Sequence, residues 1–221
     1  MKAMILAAGR GNRLSPLTDK LPKPLVKVGK STLIEHHIKK CAEAGFESII
    51  INTAHLGKQI QDHLGDGSRF NIPILYSDEG ERALETAGGI AYALPLLGDQ
   101  PFIAISSDIY CDISFNAQFQ INNSQMHLIM VNNPEHHPQG DFTAKEINLN
   151  NANAERYTYS GIAYINPGLF TYEKKAYPLV DVIKQCINND SISSELHTGL
   201  WMDVGTASRL HAANKHALYN R

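Results

Sequence analysis

Three consecutive isoleucines, Ile49, Ile50 and Ile51, constrain the fold of this chain more than any other feature. Successive side chains of a strand point to opposite faces, so an unbroken apolar run leaves neither face for water. Such a strand belongs in a parallel sheet covered by helices on both sides. The flanking sequence agrees. Lys2 to Leu6 is a short, mostly apolar run ending at Ala7-Ala8-Gly9, which reads as a buried first strand entering a glycine-containing loop. A helix is expected from a cap at Ser31, through Leu33, Ile34, Ile38 and Cys41 at helical spacing, to a stop at Gly45. Further helices are expected near residues 58–64 and 86–97, and strands near 48–52, 72–76 and 102–106. Strands and helices alternating at this spacing predict right-handed βαβ units and an α/β fold. The sheet is expected to be Rossmann-like, doubly wound and mostly parallel, with ligands beyond the carboxyl ends of its strands.

After Met126 the pattern loosens. A strand-like run at 127–131 is followed by a polar stretch at 132–155, an alternating run at 157–165, and helical segments at 179–187 and 207–218. This half is expected to carry a smaller antiparallel part that closes over a second substrate.

With 43% hydrophobic and 19% charged residues in 221, the chain has an ordinary globular composition, and a single domain is expected. A net charge of −2 gives no long-range attraction to nucleic acid or an anionic membrane, so neither is expected as a partner. Cys41, Cys111 and Cys186 are far apart and form no Cys-x-x-Cys pair; they read as incidental thiols in a reducing compartment. Residues 4–8 are too few for the apolar region of a signal peptide, and no apolar run approaches the roughly 20 residues that span a bilayer. The cytoplasm is the expected location, and a monomer or small homo-oligomer the expected state.

The strongest chemical signal is Leu6-Ala7-Ala8-Gly9-Arg10-Gly11-Asn12-Arg13, followed by Lys23 within Pro22-Lys23-Pro24-Leu25. Small residues let backbone N–H groups approach phosphate oxygens, and Arg13 and Lys23 supply charge that the backbone cannot. Together they describe a triphosphate cradle. It is neither a Walker A loop nor a complete Gly-x-Gly-x-x-Gly fingerprint. No Gly-x-Ser-x-Gly elbow and no cysteine in an activating motif points to nucleophilic hydrolysis.

The same residues resemble the sugar-nucleotide pyrophosphorylase family, whose loop has the form Leu-Ala-Ala-Gly-x-Gly-x-Arg with a downstream Pro-Lys-Pro-Leu. The likeness extends over essentially the whole chain. Glu85-Thr86-Ala87-Gly88-Gly89, Asp108, Ser160-Gly161 and Trp201-Met202-Asp203-Val204-Gly205-Thr206 fall in the family's order. Leu64-Gly65-Asp66-Gly67-Ser68-Arg69-Phe70 and Asn133-Pro134-Glu135-His136-His137, with Gly140-Asp141-Phe142, are more narrowly similar to members that act on N-acetylmuramic acid α-1-phosphate in bacterial cell-wall recycling. One departure is Ser106-Ser107 before Asp108, where the family commonly has a glycine just before its aspartate.

The resemblance implies that the two substrates are a nucleoside triphosphate and a sugar 1-phosphate. It puts the nucleotide in about the first 110 residues, against Leu6, Ala7, Ala8, Gly9, Gly11, Arg13, Lys23, Glu79, Glu85 and Gly88, with Arg13 and Lys23 as catalytic groups. The sugar phosphate falls to the remainder, at Asp141, Ser160 and Gly161; Asn52, at the end of its strand, is a further candidate for that pocket. Asp108 and Asp203 are implied ligands of Mg²⁺, an ion that prefers oxygen donors and keeps water while binding phosphate. A carboxylate at Glu79 or Glu85 accepts a hydrogen bond from the N3–H of uracil or N1–H of guanine, whereas cytosine has no such ring donor. UTP is the expected nucleotide. His136 and His137 are expected on a loop or at the substrate rim, and Trp201 in packing. The alternatives are a guanylyl- or thymidylyltransferase acting on mannose or glucose 1-phosphate, and a nucleotide-sensing module without catalysis. With the sequence ending at Arg221, one activity without a fused acetyltransferase is expected.

Overall fold

The computed structural model describes residues 1–150 and 152–219. Its first half runs β1 (Lys2–Leu6), a hairpin of β2 (Lys27–Val28) and β3 (Ser31–Thr32), α1 (Leu33–Glu43), β4 (Ile49–Thr53), α2 (Gly57–Leu64), β5 (Ile74–Asp78), α3 (Glu85–Leu97) and β6 (Phe102–Ser106). The second half adds β7 (Ile109–Cys111), β8 (Met126–Val131), β9 (Phe142–Thr143), β10 (Arg156–Ile165), α4 (Leu179–Asn188), β11 (Ile192–His197), β12 (Trp201–Asp203) and α5 (Ala207–Tyr219). One mixed sheet carries the order β11-β8-β10-β6-β1-β4-β5, with β9 pairing to β10. Strands β6, β1, β4 and β5 are mutually parallel, and β10 enters antiparallel to both β6 and β8. This is the expected α/β architecture: a mostly parallel, helix-flanked sheet with antiparallel additions from the second half.

The isoleucine run explains the layering. Ile49 and Ile51 share one face with Ala3 and Ile5 and pack on Ile34 and Ile38 of α1 and Ile60 and Leu64 of α2. Ile50 and Met4 face the other way, onto Ile90 and Ala91 of α3 and Ile183 of α4. Helix α5 instead covers the hairpin, with Ala213 packing beside Val26, Val28, Leu33 and Val204.

Most boundaries fall within a residue or two of expectation, and two of the differences have a clear physical cause. The cap of α1 is Thr32, not Ser31: Thr32 accepts from the Glu35 amide while the Glu35 carboxylate accepts from the Thr32 amide, a reciprocal capping box. Ser31 accepts from Lys39 Nζ instead, at 2.6 Å. Strand β5 starts at Ile74 rather than at 72, because the imide of Pro73 has no N–H for the ladder. Among the described residues no helix is long and apolar enough to cross a membrane.

Ile49 is fully buried near the start of β4, away from the strand ends that build the site. Ile49→Ala is expected to remove about 2–5 kcal/mol of stability. The measurement is urea unfolding: a lower midpoint with an unchanged slope is the expected result.

Candidate active site

Three strand ends meet in register. Leu6 of β1 pairs with Asn52 of β4 on one side and Ser106 of β6 on the other. All three line a cavity of about 510 Å³ at the carboxyl edge of the parallel strands, where such sheets bind ligands. The glycine loop forms one wall through Ala8, Gly9, Gly11 and Arg13. Gly11 has φ 69°, and a Cβ there would lie 3.0 Å from Lys23 Cβ and 3.2 Å from Thr18 Cγ2. Only glycine fits both the left-handed backbone and that approach. Gly9 has open space where a side chain would be, so its backbone faces the cavity unobstructed.

Lys23 sits in a one-turn 3-10 helix, Lys23–Leu25, with its side chain only 10% exposed. Its ammonium donates to Asp108 Oδ2 at 2.5 Å, and both residues line the cavity. The opposite wall is the start of α3, where Glu85 has φ 58° and lies beside Ala83 and Thr86. Positive φ at a non-glycine residue beside a cavity is a strained geometry of the kind that functional sites retain.

A second cavity of about 320 Å³ adjoins the first, and Arg13 lines both. Its floor is a bulge in β10, where the register against β8 slips between Tyr159 and Ile162. Gly161 adopts φ 83° at the bulge, with room for a Cβ blocked by Ser106 Oγ at 2.9 Å. The Ser160 carbonyl turns outward and accepts from Trp201 Nε1 at 2.9 Å. Burial in this wall pushes the Tyr159 phenol well above its usual range.

The ribbon of β7 and β12 carries the two candidate metal ligands. Asp203 pairs with Ile109, and the Val204 amide donates to the Asp108 carbonyl at 2.8 Å. Neighbouring backbones send their carboxylates to neighbouring cavities: Asp108 lines the first and Asp203 the second. Asp203 Oδ2 lies 3.0 Å from Arg209 Nη2, and Oδ1 lies 3.0 Å from His136 Nε2. Oδ1 is nonetheless buried without an aligned hydrogen bond. Among the described residues no group of three or more His, Cys, Asp or Glu side chains is placed to hold a metal. Carboxylate oxygens, one of them here without an aligned hydrogen bond, are the donor type that Mg²⁺ prefers, an ion that completes its shell with phosphate and water.

Most sequence candidates therefore gather at these two cavities, but four stand behind the walls. The Ala7 amide donates to Asn52 Oδ1 at 2.8 Å. Glu79 is 2% exposed; its Oε1 accepts from Asn52 Nδ2 at 2.7 Å and its Oε2 from the Leu84 amide at 2.6 Å. It lines neither cavity, and burial pushes its carboxyl above the ordinary range. Gly88 packs against the Lys175 carbonyl, too closely for a Cβ. Asp141 accepts from the Tyr159 amide at 2.8 Å and holds His137 Nε2 at 3.1 Å, bracing the second cavity from outside. Asn52, expected with the sugar phosphate, lines the first cavity instead. His136 and His137 do stand at the rim of the second, as expected. Trp201, expected only in packing, packs against the core and also lines the second cavity. Thr86 and Gly205 line the first cavity although their only sequence cue is a place inside motifs quoted for other residues; Ser107, notable in sequence only as a departure from the family pattern, lines it too.

The nucleotidyl transferase family model matches residues 2–220. The N-acetylmuramate alpha-1-phosphate uridylyltransferase of Neisseria meningitidis serogroup B is 45% identical, over 96% of this chain and 96% of that protein. The mannose-1-phosphate guanyltransferase of Aspergillus oryzae is 31% identical, over 93% of this chain and 61% of its own longer sequence. In fold, a Bacillus anthracis chain provisionally assigned as a glucose-1-phosphate thymidylyltransferase and solved with sucrose superposes with a TM-score of 0.81. It is 21% identical, over 98% of this chain and 95% of that one.

The bulge yields a direct test, because the chain has a single tryptophan. Gly161→Ala is expected to cost about 1–3 kcal/mol from the strained backbone alone. It is also expected to shift Trp201 emission, since the indole N–H donates to the Ser160 carbonyl at the bulge. Unchanged emission with unchanged melting would remove the bulge from the account of the second cavity.

Proposed function

The chain belongs to the nucleotidyl transferase family, and on that premise we propose that it transfers UMP from UTP to N-acetylmuramic acid α-1-phosphate, releasing pyrophosphate and forming a UDP-sugar. The observation that carries the reading is the pair of adjoining cavities bridged by Arg13, beside the short Lys23–Asp108 contact. The 45% identity to a uridylyltransferase along both chains supports the choice of nucleotide and sugar over the guanylyl and thymidylyl alternatives. A product of this kind serves peptidoglycan recycling. We place the enzyme in the cytoplasm, consistent with three free, buried cysteines.

In this reading the first cavity takes the triphosphate and the second the sugar phosphate. An oxygen of the sugar 1-phosphate is already anionic, so its attack on the α-phosphorus requires alignment and charge neutralisation rather than a base. The new P–O bond forms as the bond to the β-phosphate breaks, and pyrophosphate leaves with the electron pair. No covalent enzyme intermediate is needed. Lys23 offsets charge developing on the α-phosphate, a role suited to an ammonium held in a largely buried position. Backbone amides from Gly9 to Gly11 and the Arg13 guanidinium face the leaving pyrophosphate. Asp108 and Asp203 would hold Mg²⁺, which neutralises phosphate charge when bound.

Lys23→Ala and Asp108→Ala are each expected to fold and to lose about 3 kcal/mol of transition-state stabilisation, roughly a hundredfold in kcat/KM. The measurement is pyrophosphate release from a panel of UTP, GTP, dTTP and CTP against N-acetylmuramic acid, glucose and mannose 1-phosphates. UTP with the N-acetylmuramic acid ester is expected to lead. A loss below tenfold in either variant would count against the role given to that residue.

Chelation of divalent ions is expected to stop turnover and added Mg²⁺ to restore it. Asp203→Asn is expected to raise the Mg²⁺ concentration needed for half-maximal rate, read from a metal titration of initial rates. An unchanged requirement would take Asp203 out of the metal site.

A further inference from the structure

A buried polar chain runs beneath the first cavity, from the glycine loop to the wall formed by α3. The Ala7 amide donates to Asn52 Oδ1, Asn52 Nδ2 donates to Glu79 Oε1, and the Leu84 amide donates to Glu79 Oε2. The two side chains are each 2% exposed, and Gly89 of α3 closes over them. A Cβ on Gly89 would lie 2.6 Å from Glu79 Oε1 and 2.8 Å from Asn52 Nδ2. The direction of every bond is forced. Backbone N–H groups only donate, so the amide of Asn52 must present oxygen to Ala7 and nitrogen to Glu79, and Glu79 must accept at both oxygens. The chain thus joins the residue after β1 to the residue before Glu85 and Thr86, which line the far wall.

We propose that Asn52 and Glu79 are positioning residues that hold the phosphate-facing loop and the opposite wall of the nucleotide cavity at a fixed separation, so that they set affinity for the triphosphate through the geometry of those walls. The inference rests on the reading of the first cavity as the nucleotide site. It replaces direct base recognition by Glu79, which is buried in the chain and does not line the cavity, and it moves Asn52 from the sugar phosphate to the nucleotide cavity.

The polarity of the chain supplies its own rescue experiment. In Glu79→Gln, the Leu84 amide keeps an acceptor only if the new side-chain nitrogen faces Asn52. Asn52 then has a donor opposing a donor, either at that new nitrogen or, after flipping, at the Ala7 amide. Adding Asn52→Asp restores an acceptor at both places. The double variant N52D/E79Q has every bond of the original chain and the same formal charge, with the carboxylate moved by one link. Networks of this kind couple strongly, so the effects of the two substitutions are not additive.

Three readouts decide the matter in the full chain. Amide exchange at Ala7 and Leu84 is expected to accelerate at least about tenfold in E79Q and to return to within about threefold of wild type in N52D/E79Q. KM for UTP is expected to rise about tenfold in E79Q and recover in the double variant, with KM for the sugar 1-phosphate changed less than twofold. Melting temperature, measured in parallel, identifies a variant that simply fails to fold. A double variant no better than E79Q, or equal changes in both KM values, overturns the proposal. A wild type that turns over no triphosphate of the panel overturns the nucleotide reading instead; amide exchange then still reports whether the chain joins the two walls.

Discussion

The parallel pairing of β1 with β4 on one side and β6 on the other is the constraint from which the rest follows. Because the three strands run the same way and in register, Leu6, Asn52 and Ser106 end at one level. Past that level the chain leaves the sheet along the same edge, directly after Leu6 and Ser106 and one residue later, after Thr53, in β4. The glycine loop, the Asn52 side chain and the Ser107–Asp108 segment are therefore neighbours by topology, before any of their own contacts are considered. Burial of Met4 and Ile50 on one face and Ile5, Ile49 and Ile51 on the other fixes that level. Sliding one strand by a single residue would exchange its two faces.

The second half of the chain uses a different device. Antiparallel β10 extends the sheet beside β6, and at its bulge near Ser160–Gly161 a carbonyl, rather than a side chain, meets Trp201. A bulge is suited to this because it redirects backbone polarity without ending the strand. One cavity is thus built from the loops after strands and the other from the middle of a strand. The rigid part of each lies in the same sheet, which leaves Arg13 to span the boundary.

How much of this was legible in the sequence varied with the physical signal. The isoleucine run and the alternating helical periods are strong because both faces of a buried strand must be apolar, and the central strands were placed within two residues of their observed starts. Strand β11, Ile-Ser-Ser-Glu-Leu-His, escaped notice: it is an edge strand with mostly half-exposed residues and lacks an apolar alternation. The short ribbon of β7 and β12 was equally hidden, since its pairing joins segments remote in sequence. Among site residues, Arg13, Lys23 and Asp108 carry charge in positions that composition makes conspicuous. Glu79 looked like a ligand for the same reason, yet its environment is a closed set of hydrogen bonds that no local pattern reveals. Gly205 and Ser107 have no charge to draw attention and reach the cavity only through the turns that carry them.

The ribbon has a consequence for synthesis. Its first strand follows directly on β6, while its second lies near the other end of the chain, after β8, β10 and α4. A nascent polypeptide emerging amino end first has the glycine loop, Lys23, Asn52 and Asp108 available long before Asp203 leaves the ribosome. The loop and the parallel strands are thus free to collapse early, but the pairing that brings the last acidic side chain alongside Asp108 has to wait for release of the final segment. The second cavity, which Trp201 and Asp203 help to line, is in this sense the last part of the molecule to be completed.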